Sequence, residues 1–152
     1  MTDPRPIEAN IEIDAPPREV WAVVSDLERM GEWSPQCLRM RVFGPVRLGG
    51  RAVNLNRQGM RVWPSTAKVV QYEPQRAIAF RITENRTVWS FELGETSTGT
   101  RVTERRETPD GLSTLSAFST DRLLGGTAEF EEGLPRGVEQ TLRRIKAEVE
   151  RG

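Results

Sequence analysis

Glu104 and Arg106 stand two positions apart in the run Arg101–Glu107 (RVTERRE), and they are the residues of this chain best suited to polar chemistry. The run alternates in sign and reads as a strand with one charged surface. If Val102 points into a core, strict alternation sends Glu104 and Arg106 inward with it. A guanidinium fork there suits a carboxylate or an enolate. A desolvated carboxyl suits a general base. Burying both is costly unless they satisfy each other or a ligand satisfies them. The opposing reading is a strand that twists near its end and delivers both to solvent. Arg81 and Ser65 are lesser candidates whose facing the pattern leaves open.

What is missing from the composition is equally informative. The 152 residues contain no histidine and one cysteine. Ser-His and Cys-His nucleophile pairs are therefore excluded, as are imidazole metal sites, internal disulfides and multi-cysteine metal clusters. No metal or cofactor is expected. Gly49-Gly50 and Gly125-Gly126 lack the spacing of a phosphate loop and read as turns. Basic and acidic residues number 22 each. With no net charge there is no broad field to gather nucleic acid or an anionic membrane. No apolar run approaches the roughly 20 residues that span a bilayer, and MTDPRPIEAN lacks a signal pattern. A cytoplasmic protein without stable membrane insertion is expected. Oligomeric state is not readable.

Aromatic residues supply the apolar half of a candidate site. Met30–Cys37 (MGEWSPQC) places Trp33 and Cys37 around a Ser-Pro breaker. Trp33 either seals the core where a helix meets a strand or rims the mouth of a cavity. Cys37 reads as a small buried hydrophobe, because thiolate formation needs a positive neighbour. Trp63, Phe80, Trp89 and Phe91 fall on strand positions with plausible inward alternation. They make either a packed core or the lining of a pocket.

These residues need elements to position them. Ile7–Ile13 alternates as a half-buried strand, and DAPPREVWAVV opens a short helix on its prolines. Ser25-Asp26-Leu27-Glu28 has capping-box form, predicting a second short helix to about Glu32 that stops before Pro35. Strands follow at Leu38–Phe43, Arg51–Arg57, Arg61–Tyr72, Ala77–Thr83, Thr87–Leu93 and Thr100–Thr108. Pro64 breaks or edges the longest. Which face of that strand looks inward is open. Residues 110–126 read as a linker. Phe130, Leu134, Val138, Leu142, Ile145 and Val149 then form one helical stripe. The helix starts near Thr127 with a bend, the preferred reading, or near Pro135. One apolar sheet face needs a cover, and this helix is the element long enough to supply it.

That order resembles the helix-grip, START-like superfamily, and more narrowly the polyketide cyclase/dehydrase and lipid-transport family. The stretches that carry the resemblance are Ile11–Trp21 (I-x-I-x-A-P-x-x-x-V-W), Glu32–Cys37 (EWSPQC), Tyr72–Ile82, Thr87–Leu93, Gly99–Glu104 and Gly137–Glu150. It implies one α+β domain over residues 1–152. A curved antiparallel sheet of about seven strands would surround a long C-terminal helix, with two short helices between strands 1 and 2. The resemblance also implies an elongated cavity between sheet and helix holding a lipid or polyketide-like molecule. The candidate ligand-binding residues are Trp33, Trp63, Phe80, Trp89, Phe91, Glu104, Arg106 and Phe130. Two alternatives stand beside binding: an aromatase/cyclase or dehydratase using Arg106 and Glu104, and a co-chaperone-like or toxin-like interaction protein. Fold alone does not choose among them.

Overall fold

The computed structural model describes the backbone of residues 7–108 and 127–151, with side chains from 135 onward in the second segment. Its strands are β1 (Ile7–Ile13), β2 (Cys37–Val42), β3 (Arg51–Gln58), β4 (Arg61–Glu73), β5 (Ala77–Ile82), β6 (Val88–Glu95) and β7 (Thr100–Glu107). Helix α1 (Pro17–Val24), a 3-10 turn (Leu27–Arg29) and helix α2 (Met30–Trp33) lie between β1 and β2, and α3 (Thr127–Arg151) closes the chain. All seven strands form one antiparallel sheet in the order β1-β7-β6-β5-β4-β3-β2. Neighbours in sequence are neighbours in space, except that β1 crosses to pair with β7.

The strands fall where the sequence places them, and burial alternates along β1, β3, β4 and β7, whereas on β5 four consecutive residues, Ala77–Phe80, are buried. On β1, Ile13 is buried while Glu8, Asn10 and Glu12 are exposed. On β7, Val102, Glu104 and Arg106 are buried, while Arg101 and Arg105 meet Glu12 and Glu8 of β1 on the outer face. The longest strand, β4, turns Ser65, Ala67 and Val69 inward. A register shift between Val69 and Gln71 then pairs Tyr72 with Ile78. Pro64 is tolerated because β4 pairs with β5 only from Ala67 onward, so Pro64 lies on a stretch that overhangs β5.

The inner face shares one core with α3, whose Val138, Leu142, Ile145 and Val149 are buried among sheet residues. The helix packs chiefly along β1 and against α1 and α2. It runs unbroken through Pro135 from Thr127, the longer of the two expected extents.

One local expectation fails. Ser25 and Glu28 do not make a capping box. The Ser25 hydroxyl donates to the Trp21 carbonyl oxygen at 2.6 Å and finishes α1. The Glu28 carboxylate accepts the Val42 amide N–H at 3.0 Å and ties the 3-10 turn to β2. Both side chains found backbone partners outside the box, so the second helix starts later and spans one turn.

Candidate functional site

Met30–Cys37 is a structural corner. Trp33 is 4 % exposed and belongs to the core cluster. The Arg29 guanidinium carbon lies 4.6 Å from the Trp33 ring centroid, within cation–π range. Arg29 also forks onto Glu32 at 2.9 and 3.0 Å and reaches Glu148 of α3 at 2.8 Å. Hydrogen bonds from Arg29, backed by its charge, hold both carboxyls below the usual range. Arg144 of α3 donates to the Trp33 carbonyl oxygen at 3.2 Å. α2 can lie this close to β2 because residue 31 is glycine. A Cβ there would stand 2.4 Å from the Leu38 carbonyl oxygen. Cys37 is half-buried, and desolvation pushes its thiol up to about 11. It is no nucleophile near neutral pH.

The register places the other candidates on the inner face in rows. One row runs Ile7, Arg106, Trp89, Phe80, Val69, and the next runs Ala9, Glu104, Phe91, Ile78, Tyr72. Phe80 and Phe91 are buried, and Trp89 is half-buried. Trp21 of α1 reaches over this region and meets the Tyr72 ring at a centroid distance of 5.6 Å. Glu104 is 4 % exposed and Arg106 is 1 % exposed. The strand therefore does not turn either residue to solvent. Among the described residues, nothing hydrogen-bonds to Glu104 Oε1, and burial pushes its carboxyl well above the usual carboxylate range. A neutral carboxylic acid can donate a proton or a hydrogen bond to whatever lies against it.

Trp63 sits apart from that group. It pairs with Asn56 at the far end of β4. Ser65 is one step nearer the centre and is buried, accepting Nδ2–H from both Asn54 at 3.2 Å and Asn56 at 2.8 Å. Arg81 pairs with Lys68 and Val88 and lies on the face opposite Phe80, away from the site. Phe130 lies outside the described side chains. The structure thus brings Phe80, Trp89, Phe91, Glu104 and Arg106 together, with Trp33 at the helix corner and Trp63 at the distant end. Asn54 and Asn56 were missed. The signal was present in the alternation of RAVNLNRQ, but its sense was not: both amides face in, and Val53 and Leu55 face out at 37 % and 40 % exposure.

A curved sheet gripping a terminal helix, with polar groups sunk in its apolar face, defines a helix-grip protein. The sequence model of the polyketide cyclase / dehydrase and lipid transport family matches residues 5–150. The chain belongs to that family. The solution structure of a polyketide-cyclase-like protein from Corynebacterium glutamicum is similar at 26 % identity, over 99 % of this chain and 94 % of that one, with TM-score 0.65. Two di-domain ARO/CYC proteins share the fold: StfQ of the steffimycin biosynthetic pathway (13 % identity, TM-score 0.73) and BexL of the BE-7585A pathway (18 %, TM-score 0.72). Each matches over 96 % of this chain and half of its own length. Comparison with curated proteins finds no match. No helix among the described residues is long and apolar enough to cross a membrane, and no cluster of His, Cys, Asp and Glu there suits a metal ion.

Proposed function

We propose that this chain, working as one helix-grip domain in the cytoplasm, binds a hydrophobic small molecule of the lipid or polyketide kind between sheet and α3. The observation that carries this reading is Glu104, a carboxyl sunk into an apolar face without a hydrogen bond to Oε1 among the described residues. Such a group lowers stability, so its place on this face argues for a ligand that meets it. Phe80, Trp89 and Phe91 supply flat apolar surface on the same rows. Arg106 supplies a cation suited to a carboxylate or enolate oxygen. Native mass spectrometry of protein purified from cells tests the reading. The expected result is an added mass that leaves on denaturation, together with saturable uptake of flavone. Bare protein that takes up no flavone overturns it.

A second reading, catalysis of cyclisation or dehydration on a polyketone chain, is favoured by the burial of Glu104, which pushes its carboxyl well above the usual range. In that reading Glu104 delivers a proton to a carbonyl or hydroxyl oxygen, and Arg106 steadies the developing negative charge. Glu104→Gln and Arg106→Met, assayed for cyclisation of a polyketone surrogate, test it. Turnover unchanged in both removes the pair from any mechanism.

A further inference from the structure

β3 is built inside out. Asn54, Asn56 and Gln58 occupy the inward positions, while Val53 and Leu55 face solvent. A strand that only had to cover a core would reverse this assignment. The amides are also incompletely used. Asn54 is 6 % exposed, and neither its Oδ1 nor Gln58 Oε1 has a hydrogen-bond partner among the described residues. The Nδ2 groups of Asn54 and Asn56 both donate to Ser65 Oγ. Two donations fill both lone pairs of that oxygen and leave its own proton to give. Turning the Asn54 amide over only exchanges which of its atoms is left unspent. In either orientation one end of this buried amide is left without a partner among the described residues.

We infer that Asn54, Asn56 and Ser65, with Gln58 at the strand end, form a second polar subsite that takes a hydroxyl group of the bound molecule. The inference rests on the ligand-binding reading above and adds a specificity to it. An alcohol or phenol satisfies either amide orientation, because it gives one hydrogen bond and accepts others. Neither a carboxylate nor an ammonium fits, since among the described residues no charged side chain completes the cluster. The subsite is remote from Arg106. Val69 shares the Arg106 row three strands away, and Ser65 lies four residues from Val69 along β4. On the sheet surface that is roughly 14 Å across and 13 Å along. A molecule that meets both poles is elongated, with an oxyanion or carbonyl at one end and a hydroxyl near the other, whereas a shorter one, such as a hydroxyflavone, meets the amide pole alone.

Binding of flavone and of its 4′-, 6- and 7-hydroxy derivatives by calorimetry tests this in the wild type, Asn54→Leu and Ser65→Ala. The wild type should bind at least one hydroxyflavone about tenfold more tightly than flavone. Both variants should lose that advantage and bind the hydroxyflavone no more tightly than flavone. Asn54→Leu should also melt no lower than wild type, because it removes an unsatisfied buried group, so loss of preference cannot be ascribed to unfolding. Flavone binding without any gain from a hydroxyl overturns the subsite alone, as does a gain that survives both substitutions. Uptake of none of the four overturns the ligand-binding reading and the subsite together.

Discussion

Replacing Glu104 by Gln should make this protein more stable, and more so as the pH rises. The carboxyl is buried, receives no hydrogen bond at Oε1 among the described residues, and is pushed well above the usual carboxylate range by desolvation. A group whose folded pKa lies above its unfolded one binds more protons when folded. Its contribution is therefore present at low pH and is lost as pH climbs from the unfolded value, about 4.3, through the folded one. Wherever the folded carboxyl is still protonated and the unfolded one is ionised, stability falls by about 1.36 kcal/mol per pH unit. The chain has no histidine, the side chain that ordinarily titrates between pH 5 and 7. Urea unfolding of wild type and Glu104→Gln at half-unit steps should show two curves that nearly meet at pH 4 and diverge above it. The amide keeps the shape of the carboxyl and cannot ionise. For a domain of this size each kcal/mol corresponds to roughly 3 °C in Tm. Curves that stay parallel across the window would show that the carboxyl is solvated or paired, and the argument for a ligand built on it would fail.

The remaining expectations concern the helix corner and the thiol. Trp33→Ala should lower stability by about 3–5 kcal/mol in chemical unfolding, since a buried indole is removed; a loss below about 1 kcal/mol together with weakened flavone uptake would place Trp33 at a cavity rim instead. Gly31→Ala should lose about 1–3 kcal/mol, because backbone rather than a movable side chain occupies the Cβ position; a Tm equal to wild type would mean that α2 does not sit on β2 as described. Alkylation of Cys37 at pH 8 should run about 100-fold slower in the native protein than after denaturation, following the rise of its pKa from 9.0 to about 11. Equal rates in the two states would contradict the burial of the thiol.

The strands themselves, though not the pairing of β1 with β7, were legible because half-buried antiparallel strands print their burial as alternation. Ile7–Ile13 and Thr100–Glu107 carry it most clearly, and the inward facing of Glu104 and Arg106 follows from Val102 by counting in twos. Alternation gives the two faces and does not say which is inside. Hydropathy answers that for most strands and misleads on β3, where Val53 and Leu55 face water. The short helices were harder. Ser25 and Glu28 have the right types and spacing for a capping box, yet the Trp21 carbonyl and the Val42 amide compete for them, and the latter partner is 14 positions away. Contacts of that kind depend on how α1 and β2 meet, which local pattern does not encode. Pro64 signalled an edge correctly, but the edge is only an overhang at one end of an interior strand.

The marriage of the first strand to the last has a consequence for how the chain acquires its shape. Arg105 and Glu8, which meet across β1 and β7, are separated by 97 positions. Closing so long a loop costs entropy before any pairing returns it, and topologies of this kind reach the native state slowly. On the ribosome, β1 emerges early and must wait for β7 to be synthesised. Until then the greasy side of each finished hairpin has no lid, and the nascent chain is at its most prone to sticking.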